Sequence, residues 1–207
     1  MTDHLGAAES IAGFQIYRTF LGYGEQVSIV ASVRQIIAAA PLVQPVTAWG
    51  KPMSVRMTSA GRVGWVIDRG RYRYADCHPE TGAPWPNVPK SVLRIWDAVS
   101  DWPGPPDSCL VNWYSPNARM GLHQDMDEGD FSAPVVSISL GDPARFRIGG
   151  TDRKDPTAST ILSSGDVVVM GGDARLAFHG VDRILSGDGR SPLSGPGRLN
   201  LTLRVVA

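Results

Sequence analysis

Two segments in the first half of the chain carry apolar residues at the spacing of a buried helix face. From Gly24 to Ala40, valine and isoleucine recur every three or four positions, and a proline follows at once. From Ser91 to Val99 the same period returns. That period is typical of an amphipathic helix, and proline ends a helix because it cannot donate the next backbone hydrogen bond. We therefore predict two helices over these segments.

From Ser108 onward the pattern changes to short apolar runs separated by turn residues, which is typical of β-strands. Seven strands are predicted there: Ser108–Tyr114, Val135–Leu140, Arg145–Ile148, Ser159–Leu162, Asp166–Met170, Leu176–Val181 and Leu199–Val206. Three shorter runs precede them, Phe14–Tyr17 as an edge strand, Ser54–Thr58 and Trp65–Ile67. Two helices accompanied by many short strands favour a mainly β fold with flanking helices, an α+β sandwich or barrel.

The composition is that of an ordinary globular chain. Its 207 residues allow one domain with a sizeable core, and we predict a single domain over residues 1–207. The two cysteines, Cys77 and Cys109, form no Cys-x-x-Cys pair, which favours a reducing compartment over a disulfide framework. The sequence has neither a signal-peptide pattern nor an apolar run of membrane-spanning length. We predict a cytoplasmic monomer without a membrane partner.

The formal net charge is zero, but the charges are unevenly distributed. Between Lys51 and Arg73, six basic residues accompany a single acid, Asp68. Between Asp125 and Asp130, four acids follow one another closely. A basic flank beside an acidic pocket suits a substrate with an anionic backbone and a cationic reacting group. The zero net charge therefore does not exclude a nucleic-acid partner.

A His-x-Asp pair, His123 and Asp125, is the first candidate for chemistry. Alternate side chains of an extended backbone share a face, so an imidazole and a carboxylate reach one point in space. His179, far along the chain, is the candidate third ligand. Two imidazoles and one carboxylate leave open positions on a metal, the arrangement of non-haem Fe(II) oxygenases. Taken alone the pair is a weak signal, because polar residues in turns are common.

The last predicted strand presents a polar face. Arg198, Asn200, Thr202 and Arg204 alternate with apolar residues and so point the same way. An arginine on the inner face of a strand needs a carboxylate, because a buried charge must be paired. The carboxylate belongs either to a bound dicarboxylate or to the protein itself.

These residues form an ordered set that resembles the AlkB family of 2-oxoglutarate- and Fe(II)-dependent dioxygenases. The set is Asn112-x-Tyr114, His123-x-Asp125-x-Asp127, the distal His179, and Arg198-x-Asn200 followed by Arg204. The resemblance runs from about Pro52 to the C-terminus and includes Met53-Ser54-Val55, Gly64-Trp65, Trp85-Pro86 and Gly165-Asp166-Val167-Val168-Val169. A lone His-x-Asp is unspecific, whereas the whole set in this order is specific.

The resemblance implies a fold, a set of cofactors and a binding site. The fold is a double-stranded β-helix, or jelly roll, with its catalytic core over 108–207 and a nucleotide-recognition lid over 45–75. Fe(II) is held by His123, Asp125 and His179. The co-substrates are dioxygen and 2-oxoglutarate, and the latter is bound by Asn112, Tyr114, Arg198, Asn200 and Arg204. Arg204 is expected to hold the distal carboxylate of 2-oxoglutarate.

The implied reaction is oxidative demethylation of N-alkylated bases, such as 1-methyladenine and 3-methylcytosine, with release of formaldehyde and succinate. The implied substrate is alkylated DNA, preferentially single-stranded, with RNA as a further possibility. Two alternatives remain open at the level of sequence. One is a related dioxygenase that acts on RNA, protein or a small molecule. The other is a nucleic-acid-binding module that has no turnover.

Six residues are predicted to bind substrate: Lys51, Met57, Trp65, Tyr72, Asp127 and Arg153. Trp65 and Tyr72 are expected to stack on a flipped base, and Asp127 is expected to favour a cationic one. Each has a structural alternative, as a core aromatic or as an internal hydrogen-bond acceptor. Phosphate contacts are assigned to Lys51, Arg69, Arg71 and Arg73, or these residues form a solvated face. His4 and His78 are predicted to be surface residues.

Substitution of His123 or Asp125 by Ala is expected to abolish iron binding and turnover, because either change removes one of three protein ligands. Iron content after anaerobic reconstitution and succinate release from 2-oxoglutarate are the measurements. Retained activity in either variant would remove these residues from the metal assignment.

Overall fold

A computed structural model describes residues 8–47, 50–68, 70–187 and 189–206. The helices in these ranges are α1 (Tyr23–Ala39) and α2 (Lys90–Val99), with a short 3-10 helix at Gly172–Ala174. The strands are β1 (Glu9–Ile11), β2 (Phe14–Tyr17), β3 (Val55–Gly61), β4 (Gly64–Asp68), β5 (Arg71–Ala75), β6 (Ser108–Tyr114), β7 (Met120–His123), β8 (Val135–Gly141), β9 (Ala144–Ile148), β10 (Ala158–Leu162), β11 (Val167–Met170), β12 (His179–Ile184) and β13 (Arg198–Arg204).

The strands form two large antiparallel sheets and one hairpin. The major sheet has the order β1-β2-β11-β8-β13-β6-β3, and the minor sheet has the order β10-β9-β12-β7. β4 and β5 pair with each other as a separate two-stranded sheet, which we call the hairpin. Apolar residues from both large sheets pack together between them, for example Phe14 and Phe146, whose ring centroids lie 6.0 Å apart. The predicted mainly β fold with flanking helices, a jelly roll, is confirmed.

Period-two alternation in the major sheet separates an apolar layer from a polar one. In β13, Leu199, Leu201 and Leu203 belong to a core cluster shared with both helices. The intervening side chains, Arg198 and Arg204 among them, point into the space between the two sheets. One strand therefore stabilises the fold with one face and supplies functional groups with the other.

The helices cover the outer face of the major sheet. Four apolar residues of α1 are buried there, and Trp96 of α2 is fully buried with its indole N–H donating to the Gly104 carbonyl oxygen. The carboxylate of Glu25 accepts a hydrogen bond from the Gly22 backbone N–H and caps α1. Both predicted helices are confirmed to within one residue at each end.

One predicted strand has the wrong start. The prediction of Leu176–Val181 began three residues early, because β12 starts at His179. The 3-10 helix at Gly172–Ala174 and the turn after it occupy the preceding segment. His179 is consequently the first residue of its strand and directly follows the turn.

The strands within the predicted lid range belong to two different sheets. β3 lies within the predicted lid, 45–75, yet pairs over seven residues with β6 in the major sheet. Within that range the hairpin forms a sheet of its own. The major sheet also extends beyond the predicted core, 108–207, because β2 pairs with β11. Local sequence does not reveal which distant strand completes an edge.

The prediction that His78 lies on the surface is wrong, since the residue is 1% exposed. Its Nε2 donates to the Pro41 carbonyl oxygen at 2.8 Å, and its Nδ1 accepts backbone N–H groups of Glu80 and Thr81. The ring thus closes a turn beneath Trp85. His4 lies outside the described residues.

The centre of the major sheet gives a direct test of the packing. Ile138 is fully buried in β8, so Ile138→Ala is expected to lower the free energy of unfolding by about 2–5 kcal/mol through lost burial and a residual cavity. Val27 on α1 is 42% exposed, and Val27→Ala should change stability by no more than about 0.5 kcal/mol. Urea denaturation of both variants is the measurement. Equal effects would contradict the assignment of the core.

Candidate active site

A cavity of about 700 Å³ opens between the two large sheets and beneath the hairpin. Thirteen of the fourteen predicted site residues line it: Met57, Trp65, Tyr72, Asn112, Tyr114, His123, Asp125, Asp127, Arg153, His179, Arg198, Asn200 and Arg204. Lys51 is exposed and does not line it. Residues more than one hundred positions apart therefore meet in one place.

The candidate metal ligands meet across a strand pair. In the antiparallel pairing of β12 with β7, His179 stands directly opposite His123. Asp125 follows β7 by two residues, and its carboxylate oxygens lie 3.8 Å from His123 Nε2 and 3.9 Å from His179 Nε2. One ligand atom from each residue lies within 4.8 Å of the others. Nitrogen and oxygen donors at this separation suit a single divalent ion.

Backbone carbonyls fix the orientation of both histidines. His123 Nδ1 lies 3.0 Å from the Gly121 carbonyl oxygen, and His179 Nδ1 lies 3.1 Å from that of Ala177. Because a carbonyl only accepts, each Nδ1 carries the proton and each Nε2 presents a lone pair. Burial and the neighbouring His123 lower the pKa of His179 to about 4, against the opposing Asp125 charge. His179 is therefore neutral at pH 7, as a metal ligand must be.

The carboxylate of Asp125 is held by an arginine. Arg204 Nη2 donates to Asp125 Oδ1 at 2.8 Å, and both side chains are buried. Burial alone would raise the pKa of Asp125, but Arg204 and the two histidines lower it well below the usual carboxyl range. The ionised carboxylate keeps Oδ2, the oxygen nearer His179, without a hydrogen-bond donor among the described residues.

The other end of β13 provides a second buried cation. Arg198 is 1% exposed and donates to Ser139 Oγ at 2.6 Å and to two backbone carbonyl oxygens. No carboxylate of the described residues lies within 4 Å of its guanidinium. Burial lowers the pKa of Arg198 to about 10, so it remains charged at pH 7. Tyr114 is opposite it in register, and burial raises the pKa of that phenol to about 12.

Two asparagines lie between the arginines. Asn200 Nδ2 donates to Ser137 Oγ at 2.7 Å, and its Oδ1 accepts from Thr202 Oγ1 at 3.0 Å. Asn112, opposite Asn200 in β6, approaches the same Oδ1 with its Nδ2 at 3.5 Å. The network fixes both amide orientations and leaves Asn112 Oδ1 without a donor in the described chain.

The cavity residues fit a metal ion and a dicarboxylate. Asp125 Oδ2, Arg198 Nε and both Nε and Nη1 of Arg204 are buried without a hydrogen-bond partner among the described residues. Buried polar atoms are normally satisfied, and each exception needs an explanation. An ion between the three candidate ligands would satisfy Asp125, and a bound carboxylate would satisfy Arg198. The donor set of nitrogen, nitrogen and oxygen matches a non-haem iron site.

The hairpin presents aromatic side chains to the cavity. Trp65 and Tyr72 stack with ring centroids 5.3 Å apart and planes 15° apart. Trp65 Nε1 donates to Asp127 Oδ2 at 2.7 Å, so this carboxylate contacts the hairpin as well as the cavity. Tyr72 is 48% exposed, whereas Met57 is buried under the hairpin. The Trp65–Tyr72 pair thus forms an accessible flat surface near the candidate metal ligands.

The predicted basic contacts that the structure describes include Arg153 at the cavity and Arg71 and Arg73 on the hairpin. Arg153 donates to the Leu122 carbonyl oxygen at 3.2 Å and lies over the Phe178 ring, 5.6 Å from its centroid. Arg73 pairs with Asp68 at 3.0 Å on the hairpin, and Arg71 is exposed there. Arg69 lies outside the described residues.

Three residues that hold the site together were absent from the predicted set: Tyr74, Glu128 and Arg175. Arg175 is 4% exposed and donates to the Asp125 and Ala133 carbonyl oxygens and to Glu128. Tyr74 donates its hydroxyl to Glu128 from the hairpin. Period-two spacing from Tyr72 is a signal by which Tyr74 could have been found, whereas no local pattern identifies Glu128 as buried.

The family model described as the 2OG-Fe(II) oxygenase superfamily matches residues 13–204. An alpha-ketoglutarate-dependent dioxygenase AlkB homolog from Caulobacter vibrioides is 55% identical over 194 residues, covering 94% of this chain and 88% of that protein. The chain belongs to the AlkB family within this superfamily. It is an enzyme, a dioxygenase that depends on Fe(II) and 2-oxoglutarate, and its co-substrates are 2-oxoglutarate and dioxygen.

Two further relatives extend the comparison. The DNA N(6)-methyladenine demethylase ALKBH1C of Arabidopsis thaliana is 32% identical over 221 residues, which cover 93% of this chain and 48% of that longer protein. A solved structure titled "The structure of OsALKBH1" superposes with a TM-score of 0.80 at 32% identity, covering 95% of this chain and 98% of that one. The overall fold is thus shared with this structure at moderate identity.

Proposed function

We propose that this dioxygenase oxidatively demethylates N-methylated bases in nucleic acid, in particular 1-methyladenine and 3-methylcytosine in DNA. The observation that carries the proposal is the stacked Trp65–Tyr72 pair at the cavity. Trp65 of this pair donates a hydrogen bond to the Asp127 carboxylate. An aromatic face binds any base, and a carboxylate beside it favours a cationic one. The relative named as a DNA N(6)-methyladenine demethylase supports a methylated base in nucleic acid as the substrate.

The protein's part in the reaction is to bind, orient and exclude water. His123, Asp125 and His179 would hold the iron, which with dioxygen and 2-oxoglutarate would supply the oxidant for hydroxylating a C–H bond. The walls of the cavity keep a base and its methyl group beside the ligands and away from bulk solvent. A hydroxymethyl group on nitrogen breaks down to formaldehyde and the free base, so no protein nucleophile is required.

The two arginines divide the binding work differently from the sequence prediction. Arg204, predicted to hold the distal carboxylate of 2-oxoglutarate, is already paired with Asp125 and lies 3.4 Å from a Glu128 oxygen. Arg198 is the buried cation that has no carboxylate among the described residues. We therefore assign the distal carboxylate to Arg198 and Tyr114. Arg204 orients the iron ligand, and Asn112 and Asn200 line the space between.

The substrate residues follow from their positions around the mouth. Trp65 and Tyr72 provide the stacking surface, Asp127 provides the negative charge, and Met57 packs beneath them. Arg153 lies at the rim. Lys51, outside the cavity, is better suited to a phosphate than to the base. Phosphate contacts of this kind position the strand and carry no sequence information.

Three properties complete the proposal: a preference for single strands, a monomeric state and a cytoplasmic location. Single strands are favoured because their bases reach the cavity without the cost of unpairing. Both cysteines are free, Cys77 exposed and Cys109 buried, as expected in a reducing compartment. Of the two helices that the structure describes, neither has the length and apolar content to cross a membrane.

The first test is demethylation itself. Enzyme purified without oxygen is incubated with Fe(II), 2-oxoglutarate, air and a single-stranded oligonucleotide that carries 1-methyladenine. Mass spectrometry is expected to show loss of the methyl group, with formaldehyde and succinate formed in equal amounts. The same assay with the matching duplex and with an RNA oligonucleotide compares single-stranded with double-stranded substrates and DNA with RNA.

Two outcomes would replace the proposal. Succinate without demethylation of any nucleic acid would retain the dioxygenase and assign it a protein or small-molecule substrate. Absence of succinate from a metal-loaded sample would favour a nucleic-acid-binding module without turnover.

A matched pair of variants tests the division between the arginines. Arg198→Lys is expected to raise the KM for 2-oxoglutarate about tenfold or more, because lysine cannot make the forked contact, with metal affinity unchanged. Arg204→Lys is expected to weaken Mn(II) binding about 10–100-fold, as loss of a group that orients a ligand does. A steep rise in KM confined to Arg204→Lys would restore the original assignment.

A further inference from the structure

Glu128 is a buried carboxylate that the proposed reaction does not use. It is 6% exposed and lies three residues after Asp125. Its Oε2 accepts from Arg175 Nη2 at 3.0 Å, and its Oε1 accepts from the Tyr74 hydroxyl. Arg204 Nε lies 3.4 Å from the same Oε1. Glu128 thus connects three separate segments of the chain, through two hydrogen bonds and one ion pair.

One side of this connection is the hairpin. Tyr74 of β5 stands directly opposite Trp65 of β4 in the hairpin register. Both donate to the segment that follows β7, Trp65 to Asp127 and Tyr74 to Glu128. A single cross-strand pair therefore attaches the hairpin to the loop that carries a metal ligand. The Tyr74 contact is the buried one, because Asp127 is exposed.

The other side is the iron ligand. Arg204 bridges the two acids, with Nη2 on Asp125 and Nε beside Glu128. Arg175 spans the same stretch, from the Asp125 carbonyl oxygen to the Glu128 carboxylate. The continuous path runs from Tyr74 through Glu128 and Arg204 to Asp125, and all four side chains are at least partly buried.

We propose that Glu128 is a positioning residue that couples the placement of the hairpin to the geometry of the iron site, through Tyr74 on one side and Arg204 on the other. The hairpin carries the base-stacking surface, so the coupling rests on the proposed function where it concerns substrate. A base that fixes the position of the hairpin also fixes the orientation of the Asp125 carboxylate, through Glu128 and Arg204. Co-substrate consumption is then linked to the presence of a correctly seated base.

The physical basis is the cost of a broken buried network. A buried charge that loses a hydrogen-bond partner gains no water in exchange, so the two arrangements of such a network are discrete rather than graded. Coupling between two sites is reciprocal: if metal binding stabilises one position of the hairpin, that position of the hairpin raises the affinity for the metal by the same factor. If Glu128 only supported the fold, its substitution would lower the stability of the protein and would not affect the coupling between the metal and the hairpin.

The first experiment uses the full chain and needs no substrate. Hydrogen exchange of the β4 and β5 amides is measured with and without Mn(II), which accepts the same imidazole and carboxylate ligands. In the wild-type protein Mn(II) is expected to slow this exchange about fivefold or more. In Tyr74→Phe and in Glu128→Gln the Mn(II)-dependent slowing is expected to disappear, while the β8 amides stay protected.

Two controls match the changes in chemistry. Asp130→Asn makes the same acid-to-amide change two residues from Glu128, where the carboxylate bonds to Ser132 and not to the network. Tyr23→Phe removes a phenolic hydroxyl group from Tyr23 on α1, a residue that is 59% exposed. Both should behave as the wild type. Equal Mn(II)-dependent slowing in all variants, or no slowing in the wild type, would overturn the inference.

The second experiment uses the methylated oligonucleotide. The wild type is expected to release about one succinate per formaldehyde, whereas Tyr74→Phe and Glu128→Gln should release several-fold more succinate than formaldehyde. Loss of folded protein lowers both products together and leaves their ratio unchanged. A wild-type ratio in both variants refutes the coupling while demethylation stands. If the wild type demethylates nothing, the proposed function fails, and hydrogen exchange alone decides the coupling.

Discussion

The structure depends on compensating charge inside a β-sandwich. Asp125, Glu128, Arg175, Arg198 and Arg204 all lie within the protein at less than one-tenth exposure. In an apolar interior each of these charges would be prohibitively unfavourable alone. Their contacts with one another, with backbone carbonyls and with hydroxyl groups make burial tolerable. The few atoms left without partners mark where the ligands belong.

That constraint explains why the two arginines on one strand are not equivalent. Each lies on the inner face of β13, yet Arg204 meets two carboxylates of the protein while Arg198 meets hydroxyl and carbonyl groups only. A neutral set of partners leaves the Arg198 charge uncompensated, which suits a dicarboxylate ligand. Arg204 donates one hydrogen bond, to Asp125, and in the proposed function it therefore acts on the metal ligand. Both arginines lie on the same face of β13, and the groups around each one determine its role.

The same reasoning links the substrate surface to the iron site. Trp65 and Tyr74 lie opposite each other on a short hairpin, which also packs against the apolar core through Trp65 and Val66. Their hydrogen bonds to Asp127 and Glu128 bring the hairpin over the cavity. The hairpin therefore combines recognition with a connection to the chemistry.

The sequence by itself determined a large part of this picture. Period-two alternation put Arg198 and Arg204 on one face, helical spacing defined α1 and α2, and the ordered motifs brought His123 and its partners together as a set. Such patterns are legible because they depend on neighbours a few residues apart.

Only the tertiary structure decided the rest. The register of β12 against β7 places His179 opposite His123, and the pairing of β3 with β6 draws part of the predicted lid into the major sheet. The burial of Glu128 and the choice of partner for Arg204 also arise from residues tens of positions away. Strand pairing and charge compensation act between distant segments, so their outcome is set by the folded arrangement and not by local pattern.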